Sequence, residues 1–170
     1  MGSLTILGID PGSQVTGYGV IVVDGSALRH VASGCIRIRG TDMAARLRVI
    51  FDGAVRLVAE YRPDEICIER VFVHKNADSA LKLGHARAAA LCGTFTHPLP
   101  VHEYAPREIK LAVTGTGAAD KTQVAHMVRR LLGVQGPMTS DASDALALAI
   151  CHAHLRRSRA LRAALAGAAR

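Results

Sequence analysis

The feature that most constrains this chain is a change of apolar period near residue 40. Before it, apolar residues come in short runs broken by turn signals. Leu4 to Ile9 closes at Asp10-Pro11-Gly12, and Thr16 to Val23 closes at Asp24-Gly25. The Asp-Gly pair favours a two-residue hairpin, so Ala27 to Ile38 is predicted to return as a third, antiparallel strand. After it, Met43, Leu47, Ile50, Phe51, Ala54, Val58 and Tyr61 recur at helical spacing, with Asp42 as N-cap and Pro63 just past the end. Strand-like Glu65–Ile68 and Val101–Tyr104 then alternate with helical stretches from Asp78 to Leu91, from Asp120 to Leu132 and from Asp141 to about Ser158. Gly93 and Gly133 read as helix stops. The order β-β-β-α-β-α-β-α-α specifies an α/β fold: a meander extended by two helical crossovers, which make the fourth and fifth strands parallel to the first or to each other.

With 170 residues there is room for one sizeable core and not for two enzyme-sized lobes. There is no tryptophan and only six other aromatics, so Ala, Val, Leu and Ile must fill the core. The expected domain is 1–158, followed by a basic tail over 159–170. No apolar run approaches the roughly 20 residues of a spanning helix, and no secretion signal is present, so a cytoplasmic protein with no membrane partner is expected. Cysteines 35, 67, 92 and 151 form no Cys-x-x-Cys pair and read as small buried hydrophobes. Cys151-His152-x-His154 has a metal-like look, but a helix spreads the three over different faces.

The charge is asymmetric. Residues 1–69 hold seven Lys/Arg against eight Asp/Glu, and residues 70–170 hold fourteen against six. A basic half points to a polyanionic partner, nucleic acid above all, or to simple solvation.

Four acids stand out against that background. Asp10 follows the first strand and Glu69 the fourth; parallel neighbours would bring both to the carboxyl end of the sheet, where open α/β sheets place their sites. Asp141 and Asp144 are three residues apart on one face of the last helix. Four carboxylates in one pocket repel, and divalent cations resolve the repulsion. Two such ions can drive phosphodiester hydrolysis. Each acid also has a plainer reading: a turn opener for Asp10, a surface charge for Glu69, an N-cap for Asp141 (with Ser140 as alternative), and a first-turn charge for Asp144.

Longer motifs decide between these readings. Gly8-Ile9-Asp10-Pro11-Gly12-Ser13 with Thr16-Gly17-Tyr18-Gly19, Ile68-Glu69-Arg70-Val71-Phe72, the run Lys75 to Gly84, Tyr104 to Lys110, Lys121 to Val128, and Asp141-Ala142-Ser143-Asp144 occur in the order of the RuvC family. The chain resembles that family of Holliday-junction resolvases from about Leu4 to Leu155. The resemblance implies the RNase H-like fold, a five-stranded mixed sheet flanked by helices. It implies a homodimer that makes symmetric nicks in two like-polarity strands of a four-way DNA junction, leaving 5′-phosphate and 3′-hydroxyl ends. It also implies dependence on Mg²⁺ or Mn²⁺, two ions per subunit, and work alongside the branch-migration proteins RuvA and RuvB, in the cytoplasm at the nucleoid.

Carried over residue by residue, Asp10, Glu69, Asp141 and Asp144 fall on the four catalytic, metal-binding acids. Lys110 and Lys121 fall on lysines tied to junction binding or catalysis. Phe72 stands in a loop where the family uses an aromatic, and an exposed ring beside a catalytic acid is placed to stack on a base unstacked at the crossover; a core or dimer contact is the plainer reading. Arg70, His74, Lys75, Arg87 and Arg107 are phosphate-contact candidates. The small and apolar positions Ala80, Leu81, Leu83, Gly84, Ala88 and Leu91 give the helix from Asp78 a wide apolar circumference, suited to a dimer face or to deep burial. The linker Gly136 to Ser140 and the Arg-rich tail depart from the family pattern. The Gly8–Ser13 loop also resembles the phosphate loop of actin-like and hexokinase-like ATPases, which need a second lobe that this chain lacks.

Overall fold

The computed structural model describes residues 2–70 and 77–168, with side chains described as far as residue 158. Three strands come first: β1 (Leu4–Asp10), β2 (Val15–Asp24) and β3 (Ala27–Arg37). They pair as the predicted antiparallel meander, with Gly25 in the left-handed region at the hairpin tip (φ 57°). Helix α1 (Met43–Tyr61) follows, capped by Asp42, whose carboxylate accepts from the Ala45 N–H at 2.8 Å. β4 (Glu65–Glu69), α2 (Ala77–Thr94), β5 (Val101–Tyr104), α3 (Pro106–Thr114), α4 (Lys121–Leu132) and α5 (Ser140–Ala168) complete the chain.

The sheet order is β3-β2-β1-β4-β5, with β4 parallel to both β1 and β5. This is the five-stranded mixed sheet flanked by helices, the RNase H-like arrangement. The pleat divides the core into two layers. Leu7, Ile9 and Val20 point to Ile50, Leu57 and Val58 of α1 and Ala86 and Ala90 of α2. Ile6, Ile21 and Cys67 point to the other side, against α3, α4 and α5 through Val113, Val128, Leu146 and Ile150. Among the described residues no helix is long and apolar enough to cross a membrane.

Three local expectations are corrected. Helix α3 is an addition to the predicted order of elements: Pro106, two residues past the Val101–Tyr104 strand, is its first helical residue, where its missing N–H costs nothing. Glu108 completes the start by accepting from the Ala105 N–H at 2.8 Å. Gly93 is not a stop: α2 runs to Thr94, and Gly93 is where α2 crosses α1, since a Cβ there would meet the Phe51 carbonyl at 2.5 Å. Of the four cysteines, Cys67 and Cys151 are buried, Cys35 is half-buried and Cys92 is exposed.

Candidate active site

Asp10 is the last residue of β1 and Glu69 the last of β4. The parallel register pairs Ile9 with Ile68, so one step further the two acids stand side by side. Alternation along each strand turns both toward the α5 layer, the side that Ile6 and Cys67 also face. The fourth strand is held from behind as well: Arg87 of α2 donates from Nε to the Glu69 carbonyl at 3.1 Å and pairs with Glu103 at 2.7 Å.

The other two acids depend on how closely α5 lies on the sheet. Glycines at three positions make the approach possible. A Cβ at Gly8 would lie 2.3 Å from the Ala145 carbonyl oxygen, one at Gly17 2.1 Å from that of Asp141, and one at Gly19 2.7 Å from the Leu146 side chain. With hydrogen there, the first turns of α5 rest on β1 and β2 backbone, and Asp141 and Asp144 face Asp10. The start of α5 is capped by neither Asp141 nor Ser140. Thr139 does it, accepting the Ala142 N–H on Oγ1 at 3.3 Å, and the Asp141 carboxylate stays in the site. Cys35 of β3 touches the same hydroxyl at 3.1 Å.

The loop between β1 and β2 is fixed by two contacts the sequence did not announce. The Thr16 hydroxyl donates to the Gly12 carbonyl at 3.4 Å, and the Arg46 guanidinium of α1 donates to the Ser13 carbonyl.

Electrostatics follow from the crowding. Burial, then the charges of Glu69 and Asp144, raise the Asp10 carboxyl from 3.8 to about 7. Burial and Asp144 raise Glu69 too, although a hydrogen bond with Asp10 works the other way. Lys121, the first residue of α4, reaches into the cluster: its Nζ lies 2.8 Å from Asp144 Oδ2. That hydrogen bond and the attraction of Asp144 raise the lysine. Its side chain is nonetheless 77% exposed, so the ammonium sits at the rim. Glu69, Asp144, Lys121 and Lys110 line one cleft, floored by Pro106, Ile109 and Ala147. Among the described residues, the four carboxylates outnumber the two ammonium groups of Lys121 and Lys110, leaving a hard-oxygen donor set with surplus negative charge, which fits divalent cations of the Mg²⁺ type.

The remaining predicted residues divide. Arg70 and Arg107 are exposed near the cleft, Arg107 with its aliphatic stem over Gly117. Arg87 points inward at Glu69 and Glu103 rather than out. Phe72, His74 and Lys75 lie outside the described residues. Sequence reasoning missed Thr139, Arg46 and the glycine stripe as site builders. Of these only the stripe left a local signal, the alternating Gly17-Tyr18-Gly19.

An RNase H-like sheet with carboxylates at the ends of two parallel strands, joined by two more from the helix packed across them, defines a nuclease that works with divalent metal. Residues 6–152 match the family described as crossover junction endodeoxyribonuclease RuvC, and the chain belongs to that family. A RuvC from Methylococcus capsulatus is 58% identical over 153 residues, covering 90% of this chain and 92% of that protein. One from Halorhodospira halophila is 58% identical over 166 residues, covering 97% and 98%. Among solved structures, Thermus thermophilus RuvC in complex with Holliday junction substrate aligns with a TM-score of 0.85 at 33% identity, covering 91% of this chain and 96% of that one. The yeast mitochondrial Holliday junction resolvase, at 14% identity and a TM-score of 0.63, shares the fold.

Proposed function

We propose that the chain is a Holliday-junction resolvase that hydrolyses one phosphodiester in each of two like-polarity strands of a four-way DNA junction, leaving 5′-phosphate and 3′-hydroxyl ends. The observation that carries this reading is the half-buried, hydrogen-bonded Asp10–Glu69 pair, faced across a glycine stripe by Asp141 and Asp144. Asp10, Glu69, Asp141 and Asp144 would hold two divalent cations, with Asp10 assigned as a shared ligand because the other acids crowd around it. Mg²⁺ or Mn²⁺ held there supplies Lewis acidity toward the scissile phosphate and stabilises the departing oxygen. Without cations the crowding of charge is offset by the raised Asp10 carboxyl and by the Lys121 ammonium on Asp144. With the acids neutralised, Lys121 is free to meet a phosphate, and Lys110 beside it does the same. Arg70 and Arg107 contact backbone phosphates at the rim. His74 and Lys75 are assigned to phosphate and Phe72 to base stacking on the family resemblance alone.

Two subunits supply the two nicks. Support for the homodimer comes from α2, where Leu81, Gly84, Ala88 and Cys92 are exposed at spacings of three and four residues, with Leu81 60% exposed. Cooperation with RuvA and RuvB, and action in the cytoplasm at the nucleoid, belong to the same reading. The test is cleavage of a labelled mobile four-way junction in Mg²⁺ and then Mn²⁺, with linear duplex and Asp144→Asn protein as controls. Paired symmetric nicks on the junction alone, absent in the variant, are expected. Junction binding with no cutting in either metal would make the chain a binding module instead.

A further inference from the structure

The face of β4 that ends in Glu69 begins with Glu65, four residues and about 13 Å away along the strand. Helix α5 runs back over the same face and carries His152 eight residues, or about 12 Å, beyond Asp144. At this far end a second group of side chains converges. His152, 1% exposed, places Nε2 2.5 Å from Glu65 Oε2. His102 of β5 places its Nε2 3.8 Å from the same oxygen. One ligand atom from each of the three lies within 4.8 Å of the others. None of the three belongs to the acid cluster.

We propose that Glu65, His102 and His152 form a second metal site, separate from the catalytic acids, that takes a borderline dication such as Zn²⁺.

The donor set is the first reason. Two imidazoles and one carboxylate suit zinc and its neighbours, and they suit Mg²⁺ poorly. Orientation is the second. Arg156 Nε binds Glu65 Oε1 at 2.9 Å, so Oε2 is the oxygen turned to the rings. The Tyr104 hydroxyl lies 2.7 Å from His152 Nδ1. When the ring proton sits on Nδ1, Tyr104 Oη accepts it and Nε2 presents a lone pair, the usual outer-shell arrangement of a metal-bound histidine. The His102 and His152 rings stack at 4.4 Å between centroids, and both Nε2 atoms approach the same Glu65 oxygen. Spacing is the third. Ligands ~2.1 Å from a tetrahedral zinc stand ~3.4 Å apart. The His102–Glu65 separation of 3.8 Å is too long for a hydrogen bond and close to that value; the His152–Glu65 contact has only to open by about an ångström. His102, one-third exposed, gives the ion its entrance and the open fourth position. Arg156 is the built-in competitor: its guanidinium occupies the charge that an ion would take, and at 51% exposure it is free to swing away.

Such an ion would tie α5 to β4 and β5, the helix and strand that carry Asp144 and Glu69. Co²⁺ is the optical probe, titrated into the full chain near neutral pH with excess Mg²⁺ present to occupy the acids. The expected result is one saturable equivalent with visible absorption typical of low coordination, displaced by one equivalent of Zn²⁺. Asp144→Asn keeps it, His102→Ala weakens it at least about tenfold, and Arg156→Gln tightens it several-fold. Arg156 is half exposed, so its variant reads the site even if His102→Ala proves unstable. Absorption that is absent, that persists undiminished in folded His102→Ala, or that disappears in Asp144→Asn would overturn the proposal.

Discussion

A Cβ placed on Gly17 would lie 2.1 Å from the Asp141 carbonyl oxygen. The first turn of α5 is thus seated where only a glycine allows it, and the position of two of the four acids is set by β2, an element that contributes no acid itself. Gly17→Ala forces α5 outward. Overpacking of this kind costs about 1–3 kcal/mol, measurable as a lower midpoint in urea. Displacement of Asp141 by about an ångström is expected to lower the cutting rate by about 100-fold. Junction binding, followed by mobility shift without metal, should change far less, because Lys121 and Lys110 are carried by α4 and α3.

Asp144 and Lys121 are coupled through a 2.8 Å contact, and their substitutions should therefore separate. Asp144→Asn removes a ligand and a negative charge: cleavage is expected to fall at least about 100-fold, with junction affinity kept or increased. Lys121→Ala leaves the acids in place but removes a rim cation. Its junction affinity should depend less steeply on salt, with the log–log slope reduced by about one unit. An unchanged slope would remove Lys121 from the list of phosphate contacts.

The raised Asp10 carboxyl makes metal-free stability fall with pH. The folded chain holds the Asp10 proton up to about 7, while the unfolded chain releases it near 3.8. The contribution of this group is thus fully present below the lower value and is lost as pH rises through the higher one. Thermal midpoints without divalent metal should decline across that window. Asp10→Asn should flatten the decline, and Mg²⁺ should raise the midpoint more at about pH 8 than at about pH 5, where protons compete for the same oxygens. A midpoint gain from Mg²⁺ independent of pH would contradict this account.

The parts of this architecture that were legible in the sequence are those with a local period. The hairpin at Asp24-Gly25, the seven apolar positions of α1 and the two crossovers all follow from spacing. Helix α3 did not, because its nine residues give few turns in which to display a period, and because Pro106 signals a helix start as readily as a strand end. The acids were a different case. Asp10 and Glu69 could be placed at the carboxyl end of the sheet from the order of elements, and packing the last helix on the sheet offered a way to add Asp141 and Asp144, but the spacing did not require it and the longer motifs decided it. The convergence of the acids depends on Gly8, Gly17 and Gly19 meeting α5 across more than a hundred residues. Thr139 was overlooked because Asp141 is the better N-cap by residue type; the site keeps that carboxylate for itself. Glu65 and His152, 87 residues apart, form a pair that no spacing rule could disclose.

Arg87 separates two roles that look alike in a sequence. It reads as a phosphate contact on a helix near the site. In the fold its Nε donates to the Glu69 carbonyl, its Nη2 pairs with Glu103 at 2.7 Å, and its side chain is only 19% exposed. Such a contact positions the end of β4 and has no reach to DNA. Arg87→Ala is therefore expected to lower the cutting rate about tenfold or more through a misplaced Glu69, and to destabilise the fold by only about 1 kcal/mol, because the Glu103 carboxylate it leaves behind is exposed to water. The salt slope of junction binding should match that of the unaltered chain, the reverse of the result for Lys121→Ala. Arg87→Lys, with one ammonium in place of the planar fork, cannot hold both partners at once and should recover stability more fully than rate. Parallel measurement of unfolding midpoint, single-turnover cleavage and salt slope for the two variants decides the matter: a shallower slope in Arg87→Ala would return the residue to the DNA interface.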